Sequence, residues 1–95
     1  MNRQDLAAAV AEETGLSSQQ ASAAVNAALT AIAGSLAQGD PVTLPGFGTF
    51  ERRHRAARAG RNPQTGEPME IAAGFTPAFK AAAALRRQVA DAATD

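Results

Sequence analysis

Apolar positions in this chain change period twice, and each change marks an element boundary. Near the start, Leu6 and Val10 stand four apart behind Asn2, and Asp5 lies three residues after Asn2 as a short form of the capping-box acid. This predicts a first helix from residue 3, stopped at Gly15 by a residue that accepts the left-handed conformation. Leu16 then precedes Ser17-Ser18-Gln19-Gln20, where Ser17 and Gln20 repeat the capping-box spacing. Ala21, Val25, Leu29, Ile32 and Leu36 follow at steps of four, four, three and four, the strongest periodic signal in the chain. Gly39 closes that helix, and two helices joined by a few residues around Gly15 predict a helical hairpin over residues 1–39.

After Asp40-Pro41 the period becomes two. Val42 and Leu44 make one short strand, Pro45-Gly46-Phe47-Gly48 a tight connection, and Thr49-Phe50-Glu51-Arg52 the opening of a second strand. No large apolar side chain then appears between Glu51 and Pro68, after which Met69 and Ile71 resume the alternation. Between them lies Asn62-Pro63-Gln64-Thr65-Gly66, which is turn chemistry: proline presets φ and asparagine bonds the backbone beyond it. The sheet is thus expected over residues 41–76, with a long hairpin arm at about 53–70 that is apolar only at its base. From Pro77, the spacing of Phe79, Ala82, Leu85 and Val89 predicts a C-terminal helix over 77–92 with those side chains inward, and Ala92 to Asp95 reads as a frayed end.

Charge sharpens this picture. The formal net charge is zero, yet residues 1–51 carry −4, residues 52–66 carry +5 and residues 67–95 carry −1. Five arginines stand between positions 52 and 61, and no acid falls between Arg52 and Gly66. A segment that basic, without large apolar side chains or helical periodicity, projects into solvent and seeks a polyanion rather than serving as an ordinary solvated face.

Composition limits the core. Alanine supplies more than half of the apolar residues, so a single copy has little large side chain to bury, and self-association is expected. There is no cysteine, hence neither a disulfide framework nor a thiolate metal site. Acids at Asp5, Glu12 and Glu13 argue against a signal or transit peptide, and no apolar run approaches membrane-spanning length, so a cytoplasmic location without membrane attachment is the expectation. His54 is the only histidine, lies between Arg53 and Arg55, and reads as a strand surface residue without the companions a metal site needs. No nucleophile–base pair, phosphate loop or carboxylate pair stands out, so neither an enzyme nor a small-molecule substrate or cofactor is expected.

Several tracts together resemble the HU/IHF family of histone-like bacterial DNA-bending proteins, and HU in particular: Thr14-Gly15-Leu16-Ser17, Pro45-Gly46-Phe47-Gly48-Thr49-Phe50, Arg55-Ala56-Ala57-Arg58, Gly60-Arg61-Asn62-Pro63-Gln64-Thr65-Gly66 and Pro77-Ala78-Phe79-Lys80. The resemblance implies an α+β fold, with an N-terminal helical hairpin, an antiparallel sheet bearing an extended β-arm and a C-terminal helix, assembled as an intertwined homodimer. It implies that Phe47, Phe50 and Phe79 form an aromatic core shared by two subunits. It implies a nucleoid-associated protein that binds double-stranded DNA with low sequence specificity, favours bent, nicked or gapped forms, and contributes to chromosome compaction.

The candidate DNA-binding residues are Arg52, Arg53, Arg55, Arg58 and Arg61 along the arm, Asn62, Pro63, Gln64 and Thr65 at its tip, and Arg3, Lys80 and Arg86 on the body. Guanidinium groups fork onto phosphates and suit the negative potential of a narrow minor groove, while Asn62 and Gln64 can reach acceptors on the groove floor. Strand alternation groups Arg53, Arg55 and Arg61 and sets Arg52 and Arg58 on the other face unless a bulge intervenes. Pro63 reads either as a plain turn former or as a wedge that replaces base stacking, and the resemblance favours the wedge. The chain departs from the family where Lys80 is followed by Ala81-Ala82-Ala83-Ala84, so Ala83 removes one expected phosphate contact. With neutral net charge, this predicts weaker, more salt-sensitive and more arm-dependent binding than the family norm. Two alternatives remain: a site-selective bender of the IHF type, and an HU-shaped scaffold with weakened DNA binding.

Overall fold

The computed structural model describes residues 1–92, so the expected frayed end lies largely outside the described residues. The chain divides into two compact units, Met1–Ser35 and Leu36–Asp95. In the first, α1 (Arg3–Thr14) begins at a full capping box. The Asp5 amide donates to Asn2 Oδ1 at 2.8 Å and the Asn2 amide donates to Asp5 Oδ2 at 3.2 Å, satisfying two backbone donors that a helix start leaves open. Gly15 ends it in the left-handed region, its amide donating to the Ala11 carbonyl. The Ser17 and Gln20 side chains cap α2 (Ser18–Ala37) in the same reciprocal way, at 3.1 Å each.

Among the described residues the buried hydrophobic side chains are few: Ala7 from α1, with Ala21 and Val25 from α2. Ile32 and Leu36 are half-buried, and Leu29, on the same stripe, is exposed. Alanine removes little surface from water when it is buried, so this hairpin gains little hydrophobic stabilisation from one copy. No helix among the described residues is long and apolar enough to cross a membrane.

In the second unit, β1 (Val42–Leu44) pairs antiparallel with β2 (Gly48–Arg55), which pairs with β5 (Gly74–Ala81), giving the strand order β1-β2-β5. A separate two-stranded ribbon joins β3 (Arg58–Arg61) to β4 (Pro68–Ile71). The two pairings keep the same register count: Arg55 faces Gly74 and Arg58 faces Ile71, with two unpaired residues between them on each side, Ala56-Ala57 and Ala72-Ala73, and none inserted. A final helix, α3 (Ala83–Ala92), closes the described chain.

The C-terminal helix expected over 77–92 starts six residues later, because Pro77 through Ala81 belong to β5 and the sheet extends past residue 76. Eight residues of β2 require a paired partner along their length, and Phe75, Thr76 and Phe79 are good strand formers. Pro77 is tolerated because β5 lies at the edge of the strand order. Phe79 is therefore a strand residue rather than part of a helical stripe, and Val89, expected to point inward, is 63% exposed.

Phe79 still occupies the centre of the aromatic cluster. Its ring lies 4.7 Å from that of Phe50, its cross-strand partner, and 5.5 Å from that of Phe47. The close approach depends on Gly48, where an added Cβ would meet the Phe79 ring at 2.5 Å and the Lys80 carbonyl at 2.7 Å. Even so, Phe47 and Phe79 remain 47% and 43% exposed. Among the described residues no large side chain is fully buried, so the aromatic cluster of one copy is an incomplete core.

Candidate nucleic-acid interface

The shared register sorts the basic side chains by face. On β2 and β5, Thr49, Glu51, Arg53 and Arg55 lie opposite Lys80, Ala78, Thr76 and Gly74 on one face, while Phe50, Arg52 and His54 lie opposite Phe79, Pro77 and Phe75 on the other. The polar face carries Arg53, Arg55 and Lys80, all exposed. Arg53 is tied to its neighbour two residues back: its guanidinium approaches the Glu51 carboxylate at 2.8 Å, with both side chains solvent-accessible. An exposed pair of that kind is worth about 1 kcal/mol or less and can yield to a phosphate.

Arg52 faces the other way, alongside the aromatic cluster. Its guanidinium donates to the Ala37 carbonyl at 3.2 Å and lies 4.0 Å from the centroid of the Phe75 ring. His54 meets the same ring edge-on at 5.8 Å, as its cross-strand partner. Phe75 is absent from the residues expected to matter. The spacing of Phe75, Pro77 and Phe79 at intervals of two is the signal that could have found it, and it also marks β5 as a strand.

Beyond these unpaired alanines, Arg58 and Arg61 are the first and last residues of β3. With no inserted residue, Arg58 falls on the alternate face, the one that carries Ile71 and Met69, while Arg61 keeps the parity of Arg55. The side chain of Ile71 crosses Gly60 so closely that a Cβ there would meet it at 2.9 Å. Little else apolar supports this ribbon.

Local hydrogen bonds shape the tip. The Asn62 amide donates to the Glu67 carbonyl at 2.9 Å, the Gly66 amide to the Asn62 carbonyl at 2.7 Å, and the Gln64 amide to Asn62 Oδ1 at 2.9 Å. Thr65 Oγ1 accepts from the Glu67 amide at 3.3 Å, and Arg61 Nη1 donates to the Gly66 carbonyl at 3.1 Å. Pro63 sits at the head of this loop, exposed. The side-chain oxygen of Asn62 is used internally, leaving its amide nitrogen to donate, as acceptors on a minor-groove floor require. Arg61 retains the rest of its five donors.

The body residues are arranged differently. Lys80 and Arg86 line one shallow groove with the Pro45–Gly46 turn and Ala81–Ala83. At its floor the Ala82 amide donates to the Phe47 carbonyl at 2.9 Å, and the Arg86 amide to the Ala82 carbonyl at 3.0 Å. Ala83 opens α3 beside them and presents only a methyl group, as expected from the sequence. Arg3 stands on α1 and donates to Asn26 Oδ1 of α2 at 3.3 Å.

A two-stranded ribbon that carries Arg58 and Arg61 and ends in a polar tip is a nucleic-acid-binding feature, and comparison with known proteins gives the chain a family. Residues 1–90 match the model of the family described as bacterial DNA-binding protein. The chain is 53% identical over 89 residues to DNA-binding protein HU-alpha of Pseudomonas aeruginosa, covering 94% of this chain and 99% of that one. It is 56% identical over 88 residues to DNA-binding protein HU of Lactococcus lactis, covering 93% and 97%. Among solved structures, HU in an HU–DNA cocrystal from Anabaena aligns at a TM-score of 0.89 and 50% identity, over 95% of this chain and 98% of that one. HU from Thermotoga maritima aligns at 0.65 and 26% identity, over 94% and 98%. The chain belongs to the HU family of bacterial DNA-binding proteins.

Proposed function

We propose that this protein is a homodimeric, nucleoid-associated architectural protein that bends double-stranded DNA with low sequence specificity and performs no catalysis. The reading rests chiefly on the ribbon β3–β4, which carries Arg58 and Arg61 beside an Asn62–Gly66 tip shaped by backbone hydrogen bonds and by Asn62 Oδ1. A preshaped two-stranded ribbon enters a groove without first having to order its backbone.

Arg53, Arg55, Arg58 and Arg61 supply the phosphate and groove contacts of the arm, and Asn62, Gln64 and Thr65 meet the groove floor or its walls. Pro63, exposed at the head of the tip and lacking a donor, enters a base step and kinks the duplex. Opening a step costs a few kcal/mol, so DNA already interrupted by a nick or gap is preferred. Lys80 and Arg86, which share a groove, extend the phosphate track onto the body, and Arg3 adds a charge from α1. Association of two chains covers the cluster of Phe47, Phe50 and Phe79, and the exposure of Phe47 and Phe79 in one copy favours that step.

The test is a titration of nicked, gapped and intact duplexes of one sequence over a salt series, with bend angle read by fluorescence energy transfer. Tighter binding to the interrupted duplexes and a steep fall of log affinity with log salt are expected. Pro63→Ala should keep the salt slope and reduce the bend. Absence of binding to every duplex at low salt would refute the proposal.

A further inference from the structure

The five arginines of the basic run divide into two kinds. Arg52 occupies the face of β2 that also carries Phe50, and its guanidinium is engaged three ways. It donates to the Ala37 carbonyl at 3.2 Å, at the C-terminal end of α2, where helix carbonyls lack intrahelical partners and a cation is favoured. It lies 4.0 Å over the Phe75 ring, a cation–π distance. It also fills the space beside Gly39, where an added Cβ would stand 2.9 Å from Arg52 Nη2 and the backbone has φ +87°.

These contacts join three segments at the root of the arm: the turn after α2, the middle of β2 and the start of β5. Only a planar guanidinium can stack on the ring and donate in its own plane at the same time. Arg53 and Arg55, one position to either side of the Arg52 and His54 face, point to the opposite side of the sheet.

We propose that Arg52 is a positioning residue rather than a phosphate ligand: with Phe75 and the Ala37 carbonyl it clamps the root of the arm and holds the strands that aim Arg53 and Arg55. The proposal rests on the DNA-binding reading above for its consequence but not for the clamp itself. Charge alone makes Arg52 and Arg55 equivalent, and both side chains are solvent-accessible. What separates them is that Arg52 holds the Ala37 carbonyl and the Phe75 ring.

The experiment compares wild type with Arg52→Lys, Arg52→Ala and Phe75→Leu, using the full chain. Two quantities are read: hydrogen exchange at the Gly39 amide, which donates to the Leu36 carbonyl at 3.0 Å, and the salt slope of affinity for a gapped duplex. A clamp predicts that all three variants speed Gly39 exchange by about tenfold, comparable to losing one hydrogen bond to a charged group. It also predicts a salt slope that stays at the wild-type value in every variant while affinity falls. Arg52→Lys should fail to rescue, since it keeps the charge but loses the fork and the stack.

A phosphate ligand predicts the reverse: in Arg52→Ala the slope drops by about 0.9 for each phosphate that is no longer neutralised, Arg52→Lys restores it, and Phe75→Leu is silent. That pattern, or unchanged Gly39 exchange in the Arg52 variants, overturns the proposal. If Arg52→Ala does not fold, the lysine and Phe75 variants still decide it. Failure of wild type to bind any duplex would instead refute the DNA-binding reading, and the exchange measurement would continue to test the clamp.

Discussion

The two faces of the β2–β5 pairing, whose parity carries on into the separate β3–β4 ribbon, differ more than the strands that make them. Along β4 and β5 the alternate positions Met69, Ile71, Phe75 and Phe79 lie on one side with Phe50 and Arg52, while Lys80, Arg53, Arg55 and Arg61 lie on the other. A shift of pairing by a single residue would exchange the two sets. The register is held by the Phe50–Phe79 pair at 4.7 Å and by Gly48, whose missing side chain makes room for the Phe79 ring. The polar face has no such constraint. Its ion pair between Arg53 and Glu51 is solvent-accessible and can be exchanged for a phosphate.

Substitutions on the two faces should therefore separate stability from salt dependence. The largest effect is expected from Phe79→Ala. With the cluster covered by a second chain, the loss should reach roughly 3–5 kcal/mol, the range for a large core aromatic, and the melting temperature should depend on protein concentration. A cost of about 1 kcal/mol, ordinary for a point substitution, with no concentration dependence would mean that the cluster stays as exposed as it is in one copy. Thermal unfolding at several concentrations distinguishes the two.

Replacing Arg55, Arg58 and Arg61 together by alanine strikes the other property. Affinity should fall by about 100-fold, or roughly 2.7 kcal/mol, and the log–log salt slope by nearly three if each met one phosphate. The melting temperature should hardly move. Unchanged affinity would remove the arm from the binding account.

Gly48→Ala tests whether the register is packed as tightly as the geometry implies. The added methyl group collides with the Phe79 ring and the Lys80 carbonyl, so a destabilisation of about 1–3 kcal/mol is expected by chemical denaturation. The smallest effect belongs to Asn2→Ala, remote from both faces along the chain, which opens the α1 capping box. It should cost about 1 kcal/mol and leave the salt slope unaltered.

The elements legible in the sequence are those whose signals are local. Both capping boxes form with the residues expected, because Asn2 with Asp5 and Ser17 with Gln20 need only three residues of separation to satisfy backbone donors. The tip follows from Asn62 and Pro63 for the same reason, its bonds lying within residues 61–67. The segregation of charge is a property of the string itself, and so is the prospect of a basic projection.

Position 77 is decided otherwise. Phe79, Ala82, Leu85 and Val89 satisfy a helical spacing, and an alanine-rich stretch favours that reading, yet β2 needs a partner along its full length and draws residues 74–81 into the sheet. Cross-strand pairing is non-local and overrides the local preference. The same holds for Arg52. Alternation could place it off the face of Arg53, but only the tertiary structure brings the Ala37 carbonyl and the Phe75 ring to its guanidinium, because those partners lie 15 and 23 positions away along the chain. Charge and caps are written in neighbouring residues, whereas the duty of an individual arginine depends on which distant groups the fold sets beside it.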